Sequence, residues 1–311
     1  MDPIILFFMF GLLAGLLKCQ IRFSDSTSEL ITTVLLIAIG LKGGIELHDQ
    51  NLLDILPKIL LVAGLGLLIT AIAFPILYKL GRISRVDAAS LAAHYGSVSV
   101  GTFAVCIAFL KSQDVSFEPY VPLFVITLEI PAIIIGLVIA KRGCSDSVSI
   151  KRLFEETFKS RAITLLLGGF FIGWLSGATQ LEPYSALFIN LFYGVLALFL
   201  IEMGHTVSEQ LAAVKKHGFF MLAFGLFMPI VSGTLALSLA MLMGLSMGGA
   251  VVLTVLGASA SYIAVPAAMK ISLPEANLSL SLGSSLGITF PFNVIFGIPL
   301  FYQAAKYFYA V

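Results

Sequence analysis

The chain has 311 residues, 59% of them hydrophobic and 11% charged, with a formal net charge of +1 and a mean hydropathy of +1.04. Soluble domains carry roughly 25% charged residues. A chain with less than half that share, its apolar residues in long runs, is an integral membrane protein with no room for a sizeable soluble domain. Near-neutral charge leaves no electrostatic footprint for nucleic acid. Cys19, Cys106 and Cys144 are scattered, without the spacing of a metal site or disulfide framework.

A membrane-crossing helix needs about 20 apolar residues. The sequence predicts ten spans, roughly 3–17, 28–46, 52–79, 87–110, 120–140, 161–177, 184–202, 217–244, 247–269 and 283–306. The first follows only Met1 and Asp2, without the basic leader of a cleaved signal peptide, and reads as a true span. Loops after spans one, three, five, seven and nine hold 14 of the 18 basic residues, and the opposite side holds only Lys42, Lys58, Lys111 and Lys306. Because cytoplasmic loops collect Lys and Arg, the expectation is a multi-pass protein of the plasma (inner) membrane with both termini outside. The polar stretch 141–160 places Ile150, Leu153, Phe154, Thr157 and Phe158 on one helical face. It suits either a cytoplasmic interfacial helix or a plain connector.

The two halves echo each other. Gly11-Leu-Leu-Ala-Gly15 matches Gly169-Phe-Phe-Ile-Gly173 at an offset of 158; Ser97-Val98-Ser99 matches Ser259-Ala260-Ser261 at 162; Pro131 matches Pro291 at 160. Five spans per repeat is an odd number, so the second repeat enters the membrane upside down. Residues 1–140 form the first repeat, 141–160 the linker and 161–311 the second repeat. Inverted repeats place a transporter's substrate site at their interface near mid-membrane. The small-residue ridges Gly11/Gly15 and Gly169/Gly173/Gly177 pack helices, within one subunit or between subunits. Gly43-Gly44 and Gly204 read as helix stops or hinges.

Spans four and nine carry the chemistry. Gly96, Ser97, Ser99, Gly101 and Thr102 in one, and Ser259, Ser261 and Tyr262 before Pro266 in the other, are too rich in Gly and hydroxyls for unbroken helices. Backbone freed at membrane depth must be buried in protein or face a watery cavity. Two inverted, broken helices crossing there would offer N–H groups to an anion, and carbonyls and hydroxyls to Na⁺. The same small residues also suit plain close packing. His94 and Tyr95 read as satisfied core residues. Glu129, mid-span in span five, is costly at that depth and is a candidate for Na⁺ coordination or proton carriage, or else a structural partner of a nearby donor. Ser284, Ser285, Thr289 and Asn293 in span ten add hydroxyls and an amide. With Glu129, Ser97 and Ser261 they make up the candidate Na⁺ ligands. No hydrolase, zincin, Walker or dinucleotide motif is present, which argues against an enzyme and against any cofactor beyond a coupling ion.

At these residues the sequence resembles the sodium-dependent bicarbonate transporter family of the SbtA type. The resemblance rests on Gly40-Leu-Lys-Gly-Gly44, Gly96-Ser97-Val98-Ser99 with Thr102, and Leu128-Glu129-Ile130-Pro131-Ala132. In the second half it rests on Ala258-Ser259-Ala260-Ser261, Pro274-Glu-Ala-Asn277, Gly283-Ser284-Ser285 and Gly297-Ile298-Pro299-Leu300-Phe301. It implies five-plus-five inverted repeats like those of bile acid–sodium symporters. A core of spans 3–5 and 8–10 would move against a gate of spans 1–2 and 6–7. It also implies a homotrimer in the lipid bilayer, Na⁺-coupled bicarbonate uptake and a PII-like regulator on the cytoplasmic face. The sequence departs from the family at Tyr262, where members carry Asp, at Val265-Pro266-Ala267 in place of Pro-Pro, at Glu129 in place of Asp, and in its short linker. The expected function is therefore Na⁺-coupled symport of bicarbonate by alternating access. The alternatives are proton coupling, another small carboxylate as substrate, or a membrane-embedded anion sensor.

Overall fold

A computed structural model describes residues 3–19, 21–48, 52–141, 161–216 and 218–310. The linker helix expected within 141–160 falls outside them, apart from Lys141. Among the described residues every regular element is helical. In chain order they are α1 (Pro3–Leu16), α2 (Asp25–Leu47), α3 (Leu52–Pro75, continued by a π-turn over Ile76–Leu80), α4 (Arg85–Gly96), α5 (Val100–Ser112), α6 (Leu123–Lys141) and α7 (Arg161–Leu181). There follow α8 (Phe192–Lys216), α9 (Gly218–Leu242), α10 (Met247–Ala258), α11 (Ala264–Ser272) and a last rod, α12, over Leu278–Tyr309.

Seven described stretches are long and apolar enough to cross a membrane: Asp25–Leu47, Leu53–Leu80, Arg85–Ser112, Leu123–Lys141, Arg161–Tyr184, Gly218–Leu242 and Leu278–Tyr309. Pro3–Leu16 and Met247–Ala258 are apolar but shorter. The expected ninth span is shortened because its helix is interrupted over five residues, 259–263, against three, 97–99, in the fourth. Leu53, Leu60, Leu175, Phe219 and Leu242 are 65% to 85% exposed on the outer face, where acyl chains suit them and water would not. The hydrophobic stretch of Arg85–Ser112 is 94% buried, against 33% for that of Leu53–Leu80, so the broken rod is the centre of the molecule.

Serine caps set the helix starts. The hydroxyl of Ser84 accepts from the Asp87 N–H at 3.1 Å at the head of α4, and that of Ser246 accepts from the Gly249 N–H at 3.1 Å at the head of α10. Each supplies one of the partners that a first helical turn lacks. Two acidic side chains then tie these heads to distant loops. Asp87 Oδ1 accepts from the Asn277 N–H at 2.7 Å, and Glu118 accepts from the Ser246 N–H at 2.6 Å and from its hydroxyl at 3.0 Å. A carboxylate at a helix N-terminus also meets the positive end of the helix dipole. In α12, Pro291 has no N–H to return to the preceding turn, and π-turns at Ser285–Thr289 and Asn293–Gly297 flank it.

The glycine ridges pack helices within the subunit. A Cβ on Gly11 of α1 would lie 2.0 Å from the Ile201 carbonyl oxygen of α8, and one on Gly204 of α8 would lie 2.2 Å from that of Phe8. A Cβ on Gly40 or Gly44 of α2 would lie 2.3 or 2.1 Å from the carbonyl oxygens of Leu166 and Phe170 on α7, and Cβ atoms on Gly169 and Gly173 would meet the α2 backbone in return. Gly43-Gly44 and Gly204 are therefore not helix stops. α2 runs on to Leu47 and α8 to Lys216, because a glycine pressed on a neighbouring backbone is held by that contact. Gly177 alone departs from this ridge pattern. Its φ of +65° kinks α7.

Candidate functional site

The two helix interruptions meet. α4 ends at Gly96 and its C-cap, Ser97, is extended (φ −91°, ψ −167°). Ser99 then caps α5, its hydroxyl accepting from the Thr102 N–H at 3.0 Å and the Thr102 hydroxyl at 2.9 Å. Across from it α10 ends at Ala258, with Ser259 extended in the same way (φ −85°, ψ 170°). The Ser99 N–H donates to Ser259 Oγ at 2.9 Å, and the Ser261 N–H donates to the His94 carbonyl at 2.8 Å. His94 Nδ1 and the Ser261 carbonyl lie 2.9 Å apart. Ser97, Ser99, Ser259 and Ser261 are each no more than 3% exposed. The sequence expected these four residues at one place, and the structure brings them there.

Several expected ligands have other partners. Thr289 Oγ1 donates to the Gly225 carbonyl at 2.8 Å, so its contact with Tyr95 Oη at 2.7 Å leaves the tyrosine as donor. Tyr95, its one proton spent, accepts from the Ser284 hydroxyl at 2.7 Å. The chain Ser284–Tyr95–Thr289–Gly225 thus ties α12 to α4 and α9. Ser285 donates to Ser281 O of its own helix at 2.8 Å, and Asn293 Nδ2 donates to Ala258 O at 2.8 Å, capping the end of α10. The candidate cation ligands are divided between the crossing and this chain. Ser97 Oγ, His94 Nε2 and Asn293 Oδ1 are buried without a hydrogen-bond partner among the described residues. Glu129 is 2% exposed in α6, one turn before Ala132, whose Cβ lies 3.1 Å from where a Cβ on Gly96 would sit. Among the described residues, no three His, Cys, Asp or Glu side chains cluster to hold a metal ion.

Gly96 and Gly101 make room. A Cβ on Gly96 would fall 1.8 Å from Thr70 Oγ1 and 2.8 Å from the Gly66 carbonyl. Gly96 therefore admits α3 to the crossing. A Cβ on Gly101 would fall 2.2 Å from the Tyr262 hydroxyl and 2.7 Å from the Phe199 ring. Gly101→Ala should displace both aromatics and destabilise the protein by about 1–3 kcal/mol, the cost of forcing an added atom into a packed contact. Thermal unfolding checks this, and an unchanged melting temperature would contradict it.

Two clefts lie toward opposite ends of α2. One, of about 890 Å³, is lined by Ser28, Glu29, Arg161, Phe199, Glu202 and Tyr262, so its floor adjoins the crossing. Arg161 bridges Glu29 at 2.6 Å at its rim, and the Ser28 hydroxyl donates to Glu202. The other, of about 550 Å³, is lined by Lys42, Glu46, Ile107, Lys111 and Tyr193, with the Lys111 ammonium 5.0 Å from the Tyr193 ring centre.

Sequence reading passed over His94 and Tyr95 as ordinary core. Their place at the crossing depends on contacts 167 and 189 residues away, which no local pattern signals.

Seven stretches long and apolar enough to span a membrane, with buried polar residues where two interrupted helices meet, define a multi-pass membrane protein with a polar interior. Residues 3–306 match the family model of the Na⁺-dependent bicarbonate transporter superfamily, and the chain belongs to that superfamily. Its class is therefore that of a transporter, which is not an enzyme class. No curated protein matches the chain.

Proposed function

We propose that the protein is a Na⁺-coupled bicarbonate symporter working by alternating access, with ten spans in two inverted repeats of five. The observation that carries this reading is the crossing. Two helices interrupted at Ser-x-Ser motifs face each other, joined through Ser99–Ser259 and Ser261–His94. Interrupted helices that expose backbone groups at membrane depth are what a transporter's mid-membrane site needs. Gly96, Ser97, Ser99, Gly101, Thr102, Ser259, Ser261 and Tyr262 bind or frame the anion. Ser97, Ser261 and Glu129 hold Na⁺, with Ser284, Ser285, Thr289 and Asn293 bracing the ion's surroundings. Neutralising the site with an anion and a cation together eases its passage through low dielectric.

The backbone-to-backbone glycine contacts of α1 with α8 and of α2 with α7 support a gate of these four helices. The tie of Asp87 to Asn277 and that of Glu118 to Ser246 support a core of the others that moves as one piece. The basic-residue bias favours the inner membrane with both termini outside, and so places the 890 Å³ cleft on the cytoplasmic side. The test is uptake of labelled bicarbonate into proteoliposomes. Accumulation driven by an inward Na⁺ gradient is expected. Accumulation driven by a pH gradient alone would replace Na⁺ with H⁺, and binding without uptake would make the protein a sensor.

A further inference from the structure

His94 presents a hydrogen-bond acceptor that no described residue answers. It is fully buried in α4. Two bonds to one residue clamp it: its carbonyl accepts from the Ser261 N–H at 2.8 Å, and its Nδ1 faces the Ser261 carbonyl at 2.9 Å. A carbonyl oxygen can only accept, so Nδ1 carries the proton and donates. A buried imidazole with no carboxylate bonded to it stays neutral, because an unpaired buried cation is costly. A neutral ring with its proton on Nδ1 has a lone pair on Nε2, and Nε2 is buried with no partner among the described residues. The neighbouring orphan, Ser97 Oγ, one turn on, is a hydroxyl that donates or accepts as required. Tyr262 Oη at the crossing is another such adaptable hydroxyl, and Asn293 Oδ1, at the end of α10, is a second acceptor.

Most small anions cannot answer an obligate acceptor. Nitrate and chloride offer lone pairs only. Hydrogencarbonate has the same charge and the same planar trigonal shape as nitrate, and it carries one O–H. We infer that His94 is a specificity residue, whose Nε2 accepts the O–H of a hydroxyl-bearing oxyanion while backbone N–H groups and serine hydroxyls hold its charged oxygens. This rests on the reading that the crossing binds the transported anion. It also explains why the ring is held through Nδ1 by the Ser261 carbonyl, since a ring free to flip would present a donor to the same ligand.

Competition against labelled bicarbonate uptake in proteoliposomes tests it. In the unmodified protein, nitrate is expected to compete at least about tenfold more weakly than unlabelled bicarbonate, because it leaves the buried acceptor unpaired. His94→Leu removes that acceptor. It is expected to raise the KM for bicarbonate with little change in inhibition by nitrate, so the preference shrinks toward parity. His94→Gln, whose amide has a donor side and an acceptor side, is expected to retain more of the preference than His94→Leu. Monodisperse elution and an unfolding transition show whether each variant is folded, and the competition on unmodified protein decides the matter if neither is. Nitrate matching bicarbonate in the unmodified protein overturns the inference, as does an unchanged preference in folded His94→Leu. Absence of any bicarbonate uptake or binding overturns instead the transport reading on which it stands.

Discussion

Glu129→Gln is expected to abolish the Na⁺ dependence of uptake and at the same time to make the protein more resistant to heat. Glu129 is buried in α6, in the middle of an apolar span, with no hydrogen bond or ion pair to a described residue. A charged carboxylate at that depth costs about 2.5 kcal/mol or more. Glutamine keeps the shape without the charge, so the fold regains about 1–3 kcal/mol of the desolvation cost. An ionisable residue at that depth is a functional candidate by default. If the carboxylate holds the cation, Na⁺ binds the folded unmodified protein and raises its melting temperature by mass action, and that rise disappears in the variant. Melting curves with and without Na⁺, run beside uptake assays, check both halves. Uptake by the variant with unchanged Na⁺ dependence would remove Glu129 from the mechanism.

The second large effect is at a glycine. Gly44→Leu is expected to destabilise the protein by about 3 kcal/mol, the upper range for forcing side-chain atoms into a packed contact. Even the first added atom would fall 2.1 Å from the Phe170 carbonyl oxygen and 2.7 Å from the Trp174 nitrogen. Both are backbone atoms of α7, which cannot rotate away, so the two helices must separate. Gly64→Ala is the internal control. Nothing lies within 4 Å of a Cβ there, and alanine is the better helix former by up to about 1 kcal/mol. It should leave stability unchanged or raise it. Thermal unfolding of both variants in the same detergent gives the comparison. Equal effects from the two would mean that the α2–α7 contact does not hold the fold together.

How much of this was legible in the chain depends on the range over which each feature is set. Apolar runs of spanning length are properties of consecutive residues, and so are the serines that start helices. The interruptions at Ser97–Ser99 and Ser259–Ser261 were legible for the same reason. Glycine and serine there weaken the helix wherever it sits, and the structure breaks both helices at those residues. Gly43-Gly44 and Gly204 show the limit. In isolation such residues loosen a helix, so they read as stops. Gly44 and Gly204, pressed against a second backbone, and Gly43, against the Pro122 ring, instead permit close helix contacts and the helices run through.

By itself, then, the sequence determined a membrane protein of apolar helices, two of them broken, with the hydroxyl residues for a polar site. Only the tertiary structure decided that His94 turns to Ser261, that Tyr95 takes up Ser284 and Thr289, and that Asp87 and Glu118 fasten distant loops. Local propensity acts over a turn or two of helix. These bonds join residues 128 to 194 positions apart, and their partners are chosen by which helices pack together.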